Sequence, residues 1–198
     1  MILNHLMGLY THPKEEWHTI EKNHESFKSS LSHILLIALI PVICTYIAAT
    51  HIGWDLGIGQ RHFLTVRSAF FMSFSMYLGL LAGVFILAYL IFWMANTFDA
   101  KPTYTQSLEL AAYTATPVFM VGFACLFPVL WFIMIIGLIG LSYSIYLLFT
   151  GIPIIMNIHE DKSIVYTLSV LTAGFILLSA LMGTSALLWS WGLAPVYH

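Results

Sequence analysis

Charge is what this sequence is short of. Only 8% of its 198 residues are Asp, Glu, Lys or Arg and 60% are hydrophobic, whereas a soluble domain devotes about a quarter of its residues to charge. Such a chain cannot cover itself with a water-facing surface, and the scarcity is not evenly spread. From Leu110 to Ile158 there is no Asp, Glu, Lys or Arg at all. At about 1.5 Å per residue a helix over that stretch would be more than twice as long as the ~30 Å hydrocarbon core of a bilayer. The chain therefore crosses and returns, and Phe127-Pro128 near the middle of the run is the place to turn, because proline cannot continue a helix. Two membrane helices joined by a short turn over Cys125 to Pro128 are predicted.

Other absences exclude function classes. The formal net charge is −2, which argues against the dense basic surface that nucleic acid attracts. Of the two cysteines, Cys44 and Cys125, neither has metal-type spacing; both read as packing thiols, with a disulfide as the alternative. Met1 to Tyr10 lacks the basic start and long apolar run of a cleavable signal. There are no paired carboxylates, no nucleophile–base arrangement, no glycine-rich phosphate loop and no cofactor signature, so neither an enzyme nor a bound cofactor is expected.

What is present is a series of apolar runs bounded by Gly, Pro and Trp. Span one is expected over about Leu31 to Thr50, with Pro41 freeing the carbonyl of Ile37. A loop from His51 to Gln60 holds Trp54 at the water boundary. Span two occupies much of Val66 to Met94. Span three begins near Ser107, and span four runs from about Val129 to Phe149, closed by Gly151-Ile-Pro153. Span five fills roughly Val165 to Leu188, with Trp189 and Trp191 at its exit. Ahead of these, Pro13 reads as a first helical position with Glu15 and Glu16 in the first turn. From there Trp17, Ile20, His24, Phe27 and Leu31 recur at helical spacing. The fold predicted is all-α: a polytopic membrane protein with about five transmembrane helices behind a short amphipathic helix that lies on the membrane surface or against the bundle. Residues 1–30 form the amino-terminal segment and 31–198 the membrane domain. With five crossings one side collects Lys14, Lys22, Lys28, Lys101 and Lys162 and the other only Arg61 and Arg67, which predicts a cytoplasmic amino terminus and a periplasmic carboxyl terminus.

Three sets of side chains are candidates for function. In span three, Glu109, Tyr113 and Thr116 share one helix face and Pro117 leaves the Tyr113 carbonyl unpaired, so that together they line a polar pocket; the plainer alternative puts Glu109 at the headgroups and Thr116 on the freed backbone. Small residues four apart, Gly79/Gly83, Gly140/Ser144 and Ser179/Gly183, suit close helix contact. His12, Glu16, His18, His159 and Glu160, with Glu21, His24 and Glu25 nearby, fall on one side of the membrane at offsets that suit zinc or another divalent metal, although a solvated polar face is the simpler account.

Several short pieces resemble one family. Thr116-Pro117 and Tyr146-Leu-Leu-Phe-Thr-Gly151-Ile-Pro153, within a five-span plan behind a short helix, are similar to the Yip (Ypt-interacting-protein) family. So are His12-Pro13, Ile40-Pro-Val-Ile-Cys44, Ile52-Gly-Trp54, Trp93-Met-Ala95, Ala115-Thr-Pro-Val-Phe119 and Phe127-Pro-Val-Leu-Trp131. The likeness covers nearly the whole chain and is narrowest to the short bacterial inner-membrane members. It implies an all-helical membrane domain with a cytoplasmic amino terminus. Eukaryotic relatives associate with prenylated Rab-type GTPases and help organise vesicle traffic. This sequence lacks their long amino-terminal region, so that role does not transfer. The expected function is membrane organisation without catalysis, through helix–helix association, as a homo-oligomer or with other membrane proteins, or through contact with membrane lipids. The alternative is a carrier or channel for a small solute, ion or lipid.

Overall fold

The computed structural model describes residues 2–23, 26–55, 60–188 and 194–197, apart from the side chains of 2–6, 160 and 188. Five helical stretches are long and apolar enough to cross a membrane: Phe27–Ile52, Val66–Phe98, Tyr104–Leu126, Leu130–Ile155 and Asp161–Leu187. The number of spans and the all-α class agree with the sequence. Several of the boundaries do not.

Two short helices come first, α1 (Ile2–Thr11) and α2 (Pro13–Asn23). The amphipathic stripe expected to run unbroken from Trp17 to Leu31 is interrupted. Ser26 caps a new helix, α3 (Phe27–Ile37), its side chain accepting the Ser29 N–H at 3.3 Å, and this moves the start of span one four residues earlier. His24 and Glu25 lie outside the described residues. The apolar face of α2 is buried within the protein, since Trp17 and Ile20 are both fully enclosed in the main hydrophobic core.

Span one breaks at Ala38 before resuming as α4 (Leu39–Ile47) and ending in a π-helical turn, Ala48–Ile52. The break falls where Pro41, lacking an N–H, leaves the Ile37 carbonyl without its helical partner. Gly53, at φ 81°, then turns the chain into a two-stranded ribbon in which β1 (Trp54–Asp55) pairs antiparallel with β2 (Arg61–His62). Span two is α5 (Val66–Ala95) plus a 3-10 turn to Phe98. Span three is α6 (Tyr104–Met120), continued by a 3-10 segment, Val121–Leu126. Span four, α7 (Leu130–Ile155), runs straight through Gly151 and Pro153. The stop expected at Gly151 is not one, because that glycine serves a close packing contact instead. Span five, α8 (Glu160–Leu188), starts five residues before the expected Val165; Trp189 and Trp191 lie outside the described residues.

The least apolar span is the most enclosed. Along its most apolar stretch α6 is 61% buried, against 17% for both α7 and α8. It packs on α3, α5 and α7 at once, so it occupies the centre of the bundle. One end of the bundle gathers α1, α2 and the 96–103 and 156–162 connections, where Lys162 forms an ion pair with Asp99. The other end gathers the ribbon, the turn at Pro128 and residues 194–197. There Asp55 N–H donates to the Pro128 carbonyl at 3.0 Å and Thr65 N–H to the Val196 carbonyl at 2.9 Å.

Candidate functional site

The polar candidates of span three are held by a well-defined helix start. Thr103 caps α6 through a reciprocal pair: its hydroxyl accepts the Gln106 N–H at 3.3 Å, and the Gln106 side chain accepts the Thr103 N–H at 2.8 Å. This capping box fixes the helix phase. In that phase Glu109, Tyr113 and Thr116 lie on one face at successive turns, and all three are buried, each about 1% exposed. Glu109 is thus inside the protein rather than at the headgroups.

Two neighbours complete the cluster. From α3, His33 places its ring 4.7 Å from that of Tyr113, and its Nε2 is 2.9 Å from the Thr116 hydroxyl. That hydroxyl donates its one proton to the Ala112 carbonyl at 2.9 Å, which makes His33 Nε2–H the donor to Thr116. The same bond corrects the expectation that Thr116 serves the Tyr113 carbonyl freed by Pro117. From α2, Trp17 sits edge-on to Tyr113 at 6.2 Å and donates its indole N–H to the Thr150 hydroxyl at 3.2 Å. Gly151 makes room for it: a Cβ there would lie 2.7 Å from Leu110 Cδ1 and 2.8 Å from the Trp17 ring. Trp17, Tyr113, His33 and Thr116 therefore form one continuous buried chain, and Glu109 lies one turn along α6 from Tyr113.

His33 was not singled out from the sequence, although it is the only histidine between Leu31 and Thr50. An imidazole within an apolar run is the signal that could have found it. Pro117 belongs to a different surface. It lines an open, apolar groove of about 720 Å³ with Tyr10, Val121, Gly140, Tyr143 and Tyr146 among others. Tyr10 stacks on Tyr143 with ring centroids 5.3 Å apart, and burial together with that neighbouring phenol raises the Tyr10 pKa above the usual tyrosine value.

The small-residue pairs divide into two kinds. Gly140 and Ser144 are buried, and a Cβ on Gly140 would meet Val121 Cγ2 at 2.4 Å and the Pro117 carbonyl oxygen of α6 at 3.2 Å. That contact is made within the chain. Gly79 and Gly183 have nothing within 4 Å of a Cβ position, and Gly83 meets only Leu181 at 3.4 Å. Ser179 is exposed, its hydroxyl bonded to its own helix at the Phe175 carbonyl, 2.8 Å away.

The metal candidates are not drawn together. His12, His18 and His159 are exposed, the side chain of Glu160 lies outside the described residues, and Glu16 packs over Gly8, its Oε2 standing where a Cβ would be. Among the described residues no group of three His, Cys, Asp or Glu side chains is placed to hold a metal ion.

A bundle of five apolar helices long enough to cross a membrane defines a multi-pass membrane protein, and comparison with known proteins gives its lineage. The Yip1 domain model matches residues 7–181, and the chain belongs to the Yip family, as the sequence resemblance indicated. Inner membrane protein YohC of Escherichia coli strain K12 is 34% identical over 191 residues, covering 96% of this chain and 98% of that one. YohC of Escherichia coli O6:H1 strain CFT073 matches to the same extent. With five apolar helices and these relatives, the protein is a multi-pass inner-membrane protein of the YohC-like kind. No solved structure matches it.

Proposed function

We propose that this protein organises the inner membrane without catalysing a reaction, by associating through its outer helices with a second copy of itself. One observation carries the reading: the second half of α8 is mostly exposed. From Phe175 to Leu187 nearly every residue is exposed, and within that stretch Gly183 offers an unfilled position where another backbone can approach. Gly79 on the neighbouring α5 adds a second such place, with Gly83 one turn further on packed against Leu181. Small residues on membrane helices permit close backbone approach, and helices in lipid associate through that packing rather than through hydrophobic burial. The α1–α2 end carries Lys14, Lys22, Lys101 and Lys162, the ribbon end Arg61 and Arg67, so the former faces the cytoplasm and the carboxyl terminus lies in the periplasm. Replacing Gly79 and Gly83 by Leu tests the contact surface. The variant protein in nanodiscs should shift to monomer, and an unchanged oligomer mass would remove this surface from the proposal.

A second reading is favoured by one specific feature, the burial of both a carboxyl, Glu109, and an imidazole, His33, inside the bundle. Ionisable groups inside a membrane protein are costly and commonly mark ion or proton paths. On this reading Glu109, His33, Tyr113 and Thr116 belong to a carrier for a small ion. It predicts flux in proteoliposomes that Glu109→Gln reduces at least tenfold, and flux equal to that of empty liposomes would dismiss it.

A further inference from the structure

The two cysteines come together. Spans one and three pack together, and their main chains meet at Pro41 and Gly122. A Cβ on Gly122 would lie 2.4 Å from Pro41 Cα and 2.7 Å from its nitrogen, so the two main chains touch there. Three residues further along each strand of this contact stand Cys44 and Cys125, both with free thiols. They are close enough to interact electrostatically, and the Thr45 side chain hydrogen-bonds Cys125. A disulfide needs Cα atoms roughly 4.4–6.8 Å apart, and the Pro41–Gly122 contact three residues earlier brings the two main chains together next to the cysteines. Cys44 is buried and Cys125 half-buried, and Cys125 is three residues from Pro128, at the end of the bundle that holds the β-ribbon.

We propose that Cys44 and Cys125 are a redox pair that closes to an intramolecular disulfide, locking the lower halves of spans one and three together. The more accessible Cys125 thiolate attacks a protein disulfide of the thiol–disulfide exchange class, forming a mixed disulfide and releasing one oxidant thiolate. Cys44 then attacks the Cys125 sulfur and releases the second. Two protein thiols lose two protons and two electrons, and the oxidant's disulfide is reduced to two thiols. The source of oxidant rests on the orientation proposed above, since the ribbon end then faces the compartment in which disulfides persist.

The test uses the full-length protein in intact cells, quenched with acid, denatured in SDS and labelled with a polymer-linked maleimide before and after reduction. The wild type should gain no polymer before reduction and two after it, whereas Cys44→Ser and Cys125→Ser should each gain one in both conditions. Two adducts on the wild type without reduction, or a disulfide-linked dimer, overturns the pair. A reporter fused to the carboxyl terminus separates the two readings. Bridged thiols with a cytoplasmic carboxyl terminus overturn the orientation and leave the bridge standing. Free thiols with a periplasmic carboxyl terminus overturn the bridge alone.

Discussion

Helices α6 and α8 are both membrane spans, yet they are built on opposite terms. The first is the least apolar of the five and the most enclosed, with Tyr113 and Thr116 turned toward α2 and α3; the second is strongly apolar and mostly bare. Lipid rewards the exposure of Leu, Ile and Phe and penalises unpaired polar groups, so the polar span goes to the middle. The one span that is appreciably less apolar than the rest is therefore the one its neighbours enclose. The contrast also separates two environments: α6 is enclosed by its neighbours, and the second half of α8 is open to its surroundings.

The comparison breaks most sharply at the lid over α6. Trp17→Ala removes a fully buried ring lying between Gly151 and Tyr113, together with its bond to Thr150, and should destabilise the protein by about 3–5 kcal/mol in a reversible detergent unfolding titration. Next come changes at the packing and polar contacts of the same span. Gly122→Ala drives a methyl into the Pro41 backbone and should cost about 1–3 kcal/mol. Thr116→Val leaves His33 Nε2–H without its acceptor, a loss of similar size, about 1–3 kcal/mol. Gly183→Leu on α8 should change the unfolding free energy of the monomer by no more than about 0.5 kcal/mol, since nothing surrounds that position. A large loss there would erase the distinction between the two helices.

The smallest effect lies outside both. The hydrogen bond and then the charge of Lys162 hold the Asp99 carboxyl below its usual range, with Lys101 adding a little and desolvation opposing. A depressed carboxylate pKa stabilises the folded state above the unfolded value of about 3.9 and loses that contribution as pH falls through the folded value. Because the pair is exposed, Asp99→Asn should shift the thermal midpoint only slightly at neutral pH. That shift should shrink with added salt and disappear in acid.

Much of this was legible in the sequence for a simple reason: the scarcity of charge has a length scale, and the bilayer has the same one. The spans and the need for a turn between Leu110 and Ile158 follow from it, while Pro128 marks that turn and Pro41 marks the freed Ile37 carbonyl, at which the helix then breaks. Boundaries were less legible where one residue type serves two purposes. Gly151-Ile-Pro153 has the composition of a helix stop, but Gly151 is there to admit Trp17, and α7 continues through it. The face of Glu109, Tyr113 and Thr116 could be read from helical spacing, whereas His33 joins it from a helix far away in sequence, which spacing within one segment cannot show. Likewise Gly140 and Gly183 look alike in a sequence pattern. Only the fold tells that the first is already occupied by α6 and the second is open.

The open face of α8 is the central claim, and cross-linking in the membrane addresses it most directly. In a protein with Cys44 and Cys125 replaced by serine, single cysteines placed one by one from Ile176 to Ala186 should cross-link between copies with helical periodicity, strongest at Ser179 and Gly183. Cross-linking that is absent along the whole stretch, or equal at every position, would contradict it.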